Sequence, residues 1–286
     1  MNTDFICEKR LKQLNPHYSE LVRNTAIVMS NILDKYTTYF PEYTDHSSLH
    51  AMQVLDFCNK LIGEQIDLLN EDELFVLIMS CYMHDTGMGI SDADYKKFKE
   101  NVITEDYIKN HPVIDIKDSI RSFHHEFSGK FISKYAVLFE IPSPEHVFAI
   151  IQVSRGHRKT DLYDPNEYPA EFKVPNGNTI CLPYLSALIR LADELDIAAD
   201  RNVFAKYDEH WTRDYDKHGS IKHMDLHDDC FELTVETIMK EEESIKYMYE
   251  EIEKLQKTLT YCVDVVEKRT KFKINQKVVK INNWAK

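Results

Sequence analysis

His46 and His50 stand four residues apart in "DHSSLHAMQV", so on a helix they share one face. His84 and Asp85 close the apolar run Leu74 to Met83 and are followed at once by Gly87 and Gly89, two of only seven glycines in the chain. His124 and His125 fall within "IRSFHHEFSGKFISKYAVLF", His157 ends "PEHVFAIIQVSRGH", and Asp193 lies in "LIRLADELD". Each is ordinary alone. A histidine on a helix face is most often structural, an HD pair is common by chance, and "LADELD" reads equally well as an acidic helix edge. Together they bring imidazole and carboxylate from several segments to apolar surfaces. Buried groups of that kind are costly unless paired or bound to metal. Mixed His and Asp ligation suits Mn, Fe, Co, Ni or Zn better than the soft metals that thiolate sites select, and Mg fits where carboxylates and waters dominate. Asp85, beside a histidine ligand, could bridge two ions, and a metal so held brings the pKa of a bound water toward neutrality.

The elements that must carry these residues are helices from Tyr18 to about Asp200. "YSELVRNTAIVMSNILDKYTTYF" places Leu21, Ile27, Val28, Ile32 and Leu33 near one face, and Pro41 ends it. "DHSSLHAMQVLDFCNKLIG" follows, with Asp45 or Ser47 as cap and Gly63 as stop. "EDELFVLIMSCYMHD" is apolar nearly all round, the mark of a central helix. The polar stretch Ser91 to Ser119 reads as short helices and loops near the site. Pro165, Pro169, Pro175 and Gly177 make Lys159 to Gly177 a loop, a candidate lid. "CLPYLSALIRLADELDIAADR" is the last strong helix of this part. After Asn202 the character changes. "SIKHMDLHDDCFELTVETIM" alternates on both sides of a polar "HDD", the pattern of a hairpin; a charged helix runs from about Lys240 to Lys268, and "KFKINQKVVKIN" reads as a final strand. The fold class is therefore mostly α, a helical metal-binding domain at 1–202 with a small α+β appendage at 203–286.

The set "HSSLHAMQV", "CYMHDTGM", "FHHEFSGKFI", "RGHRKTD" and "LIRLADELDIAADR", in that order, resembles the HD superfamily of metal-dependent phosphohydrolases from about Thr44 to Arg201. The resemblance implies a helical bundle and a divalent metal, one ion or two. It implies His50, His84, Asp85 and Asp193 as ligands, with Asp196 the rival of Asp193. His125 and His157 would join a second ion or act as acid and base beside Asp85; His124 would be extra. His46 becomes a neighbouring or substrate-contacting group, and Arg155, Arg158, Lys159 and Arg190 become candidate phosphate contacts. The alternative for each of these cations is a solvated surface charge. The chain is similar to a bacterial branch found alone or ahead of an Hsp90-like ATPase domain. "HDTGMGIS" lacks the acidic continuation of the alarmone hydrolases, and the paired His and Gly-Tyr-Pro of the cyclic dinucleotide phosphodiesterases are missing. Within the hydrolase reading, a nucleotidase or triphosphohydrolase is favoured over a phosphodiesterase.

Composition bounds the partners. With 43% hydrophobic residues and few Gly and Pro, the chain can bury a sizeable core. A net charge of −13 argues against duplex DNA but not against a small phosphorylated substrate, such as a nucleotide, in a locally cationic or metal-bearing pocket. Six scattered cysteines with no CxxC pair, and an N-terminus without an apolar signal core, suit reduced thiols and a cytoplasmic protein. No run approaches the ~18 apolar residues of a membrane span. The late helix carries Ile245, Met248, Ile252, Leu255, Leu259, Cys262, Val263 and Val266 at helical spacing, a stripe that packs on its own hairpin or forms a homodimer seam. The competing function class is a non-catalytic binding or signalling module that keeps the fold and metal site and acts through a partner.

Overall fold

The computed structural model describes residues 5–38, 40, 46–111, 113–158, 160–197, 221–235 and 242–283. Pro41, Asp45, Lys159, Arg201 and the expected boundary at 202/203 lie outside the described residues.

Helix α1 (Ile6–Leu14) hands over at Asn15 to α2 (Pro16–Leu33). Asn15 accepts the Tyr18 amide, and Pro16 sits where its missing N–H costs nothing. Helix α3 (Ser48–Ile62) is capped by Ser47 and stops at Gly63, whose φ of 51° favours glycine. Helix α4 (Glu71–Met83) starts in a capping box between Asn70 and Glu73 and is buried along its whole length. A 3-10 turn, Thr86–Gly89, leads to the short helices α5 (Asp92–Val102) and α6 (Glu105–Asn110). Helix α7 (Ile116–Tyr135) is kinked at Phe123, and α8 (Pro144–Arg155) packs along it and along α4. The following loop holds a two-residue antiparallel pair, β1 (Phe172–Lys173) with β2 (Thr179–Ile180), before α9 (Leu182–Leu195).

The C-terminal elements are β3 (Ile221–Leu226), β4 (Cys230–Val235), α10 (Glu242–Arg269) and β5 (Val278–Asn283). β3 and β4 form the expected hairpin, and β5 lies parallel to β4 with Cys230 opposite Val278. A parallel return needs a crossover, and α10 falls between the two strands in the chain. The mostly helical architecture with small C-terminal strands is the one expected from sequence. The expected appendage shares its core with the helices. Leu255, Leu259 and Val266 of α10 belong to the same hydrophobic cluster as Leu188 and Leu191 of α9, against which α10 packs. From Met248 to Val266 the residues of the stripe offered as a dimer seam are buried within the chain.

Helix α2 departs from its expected face. Ile27 and Val28 are 62% and 46% exposed, and the buried side is Tyr18, Leu21, Val22, Thr25, Met29 and Leu33. A polar residue, Thr25, sits in the buried stripe and hides its centre from a hydrophobicity count. Cys58 and Cys81 pack sulfur to sulfur at 3.9 Å as free thiols, and burial pushes Cys58 up. No described helix is long and apolar enough to cross a membrane.

Candidate metal centre

Five segments bring histidine and aspartate to one buried point: the start of α3, the end of α4, the middle of α7, the turn after α8 and the end of α9. Asp85 is the pivot. Its Oδ2 lies 2.9 Å from His46 Nδ1, 3.6 Å from His50 Nε2 and 3.5 Å from His84 Nε2. Its Oδ1 lies 3.5 Å from His124 Nε2 and 3.6 Å from His157 Nε2. Asp193 Oδ1 closes the first side, 3.2 Å from His50 Nε2 and 3.9 Å from His84 Nε2. Two groups, His50–His84–Asp193 and Asp85–His124–His157, each keep their ligand atoms within 4.8 Å of one another, and His46–His50–Asp85 overlaps them.

The imidazoles are oriented from behind. His84 Nδ1 donates to the Cys81 carbonyl, His124 Nδ1 to that of Arg121 and His157 Nδ1 to that of Ser154. His50 Nδ1 is held by Asp196 Oδ2 at 2.5 Å. With Nδ1–H engaged, such a ring presents the lone pair of Nε2 to the interior whenever it is neutral. Yet His124 and His157 bring their Nε2 atoms to 3.0 Å, and His50 and His84 to 3.3 Å. Where both rings are neutral, as for His124 and His157, two lone pairs cannot hydrogen-bond to each other, and such a contact suits ligands of a cation. Carbonyl and carboxylate behind the ring is the usual support of a metal-bound histidine. The residues therefore fit a divalent metal ion, with Asp85 common to two of the groups that could hold one.

The electrostatics agree. Burial alone would raise the Asp85 carboxyl, but His84, His46 and His124 outweigh it and hold Asp85 well below the usual carboxylate range. Asp193 is likewise held low against its burial, by His50, His157 and His84. Burial, with His84 and His124, pushes His157 well below an ordinary imidazole. Burial, with Arg158 and His125, brings His124 down to about 3, so both rings are neutral at neutral pH.

Local sequence explains the assembly. Ser128 Oγ donates to the His84 carbonyl and accepts the Gly87 amide, pinning the turn after the HD pair to α7. A Cβ on Gly87 would lie 2.1 Å from the His124 carbonyl oxygen, so only glycine lets the turn approach.

The candidate set of the sequence maps onto this geometry with three revisions. His50, His84, Asp85 and Asp193 meet on the first side, and His46 bonds Asp85 directly. Asp196 stands behind His50 rather than on its Nε2. At the second side the partner of His157 is His124, not His125, because His124 and Ser128 are one helical turn apart on the face that meets the HD turn. His125 points beside it, with Nε2 3.7 Å from Glu126 and a buried Nδ1 that has no hydrogen-bond partner among the described residues. Among the cations, Arg155 forms a two-oxygen pair with Glu126, and Arg190 is buried against the carbonyls of Gly156 and Thr160. Arg158 lies near enough to depress His124 and His125 and has no side-chain hydrogen bond or ion pair among the described residues.

A helical bundle that gathers five imidazoles around an HD aspartate is a domain of the HD type. The family model HD-CE matches residues 40–271, and the chain belongs to that family. The match runs through the expected boundary at 202/203 and takes in α10. No curated protein matches the chain.

Proposed function

We propose that the protein is a metal-dependent phosphohydrolase acting on a small phosphorylated substrate, with a nucleotide as the favoured class. The observation that carries this is Asp85, whose two oxygens face two separate histidine groups. Divalent cations held there would supply Lewis acidity for a phosphoryl oxygen and an activated water near neutral pH. The chain's own residues divide the remaining work. His50, His84, Asp193 and one oxygen of Asp85 form one ligand group, and the other oxygen with His124 and His157 forms the second. Asp196 and the three helix carbonyls fix ring orientation. His125, brought down to about 4 by burial with Arg158 and Arg155, is neutral and able to take a proton. Arg158 offers its charge to a phosphate. Release of terminal phosphate or pyrophosphate suits this reading better than diester cleavage, because the sequence lacks the pattern of the cyclic dinucleotide enzymes.

One observation favours the second reading, a binding or signalling module. Arg155 and Arg190 are spent on protein contacts, which leaves fewer cations for substrate. Elemental analysis and a nucleotide panel separate the two. Wild type purified without chelator should carry about one or two equivalents of transition metal and release phosphate from at least one nucleotide, and D85A should lose both. Metal without turnover on any nucleotide or related phosphoester would favour the module; no metal after incubation with Mn, Fe, Co, Ni, Zn and Mg would overturn the metal site itself.

A further inference from the structure

Arg190 lies three residues before Asp193, on the same side of α9. Its Nε donates to the Gly156 carbonyl at 2.6 Å, and its Nη2 to the Thr160 carbonyl and hydroxyl at 2.8 and 3.0 Å. Those acceptors bracket His157. A single planar cation therefore holds both ends of the turn that carries one histidine of the second group, while its own helix carries Asp193 of the first. The turn is also pressed against α9. A Cβ on Gly156 would fall 2.5 Å from that of Ser186, one helical turn before Arg190.

The clamp is backed from the C-terminal elements. The ring of Tyr261, on α10, lies 5.1 Å from the guanidinium carbon of Arg190, and its hydroxyl accepts the Leu162 amide at 2.8 Å. Arg269, on the same helix, donates to the carbonyls of Leu162 and Tyr168. A loop bare of such contacts would let His157 drift, and a ligand needs its position within about 0.2 Å.

We propose that Arg190 is a positioning residue for the second metal group, and that Tyr261 makes α10 part of that site. This rests on the two-ion reading. It differs from a phosphate-binding role, because the Nε and Nη2 donors of Arg190 are already engaged with the Gly156 and Thr160 carbonyls. It also assigns the C-terminal helix a task in the site rather than in partner docking.

The test is stepwise Mn2+ binding to the chelated full chain, in wild type, R190M, R190K and Y261F. In R190M the second equivalent should weaken by about 10- to 100-fold, the range for lost ligand support, while the first is unchanged. R190K keeps a donor for Gly156 and should recover part of the loss. It also decides the matter if R190M does not fold. Y261F removes the Leu162 acceptor but keeps the ring, and should weaken the second equivalent alone and by less. An R190M protein that holds both ions as wild type does, or loses both together, would overturn the clamp. If wild type binds a single ion, the two-ion reading fails, and the clamp is judged without metal. Imidazole nitrogen spectra should then show His157 fixed with its proton on Nδ1 in wild type and mixed in R190K; identical spectra would overturn the clamp on that ground.

Discussion

Gly87→Ala gives the sharpest trial of the architecture. The added Cβ would sit 2.1 Å from the His124 carbonyl oxygen, 2.8 Å from its carbon and 2.9 Å from its Cα, all backbone atoms. Ordinary contact begins at 3.4 Å, so the shortfall is about 1.3 Å. No rotamer change can relieve it. Either the HD turn or α7 must move, and Asp85 and His124 sit on opposite sides of that contact. Their ligand atoms would separate by a distance several times the ~0.2 Å that a metal site tolerates. Overpacking of this kind costs about 1–3 kcal/mol. The expected result is a chain that folds, melts a few degrees lower in chelator, and has lost the second metal equivalent. Gly129→Ala is the control. It lies on α7 with His124, where its Cβ would meet side chains alone, the Ile151 methyl at 3.2 Å and Arg155 carbons at 3.6 and 3.8 Å, and alanine gains helix propensity, so stability and metal should hold near wild type. The assays are thermal unfolding in chelator and metal stoichiometry. A G87A protein with wild-type melting temperature and both equivalents would refute the packing argument.

Four other outcomes are expected. Asp196→Asn removes the carboxylate behind His50 without removing a ligand, so metal affinity should fall about 10- to 100-fold in a chelator competition. His124→Ala should lose a metal equivalent while His125→Ala keeps the wild-type complement and loses turnover; the reverse pattern would restore His125 as the ligand. Metal present at about 100 times its Kd should stabilise the protein by about 2.7 kcal/mol per site, visible as a melting temperature that rises with metal in wild type and not in D85A. Asp72, buried at the start of α4, is held below its unfolded value of 3.8, against burial, by hydrogen bonds from His146, Asn176 and Asn178. Its contribution is therefore complete above that pH and is lost as pH falls through the lower folded-state pKa. Urea unfolding across that range should show a steep acid limb in wild type and a shallower one in D72N.

The helices and the first ligand group were legible in the chain because local signals agree with the fold. Ser47, Gly63, Asn70 and Glu73 mark helix ends by their own chemistry, and α4 announces its burial by being apolar on every side. His50 and Asp193 could be picked out because the resemblance to the HD superfamily implies them. What escaped depends on groups distant in sequence. His124 and His125 are adjacent, and only the docking of Ser128 on the HD turn, across a kink at Phe123, decides which ring enters the site. The i, i+4 relation of His124 to Ser128 was visible, but nothing in the sequence said that Ser128 mattered. Arg155 and Arg190 read as free cations because their partners, Glu126 and the Gly156 and Thr160 carbonyls, lie 29 to 34 residues away.

The charge balance sets an order on the proposed chemistry. Asp85, Asp193 and Asp196 stand together with imidazoles of which at least His124 and His157 are neutral, inside a chain of net charge −13. Arg158, and Arg190 whose hydrogen-bond partners are uncharged, are the described arginines near them that no carboxylate neutralises, and two positive charges fall short of three carboxylates. A phosphate approaching the metal-free site therefore meets like charge in a poorly solvated place, where repulsion is strong. Divalent cations reverse the sign of the local field. On the proposed reading metal must bind first, and metal and phosphate affinities are linked, each raising the other by the same factor. Phosphate binding that persists undiminished in chelator would place the anion elsewhere on the protein.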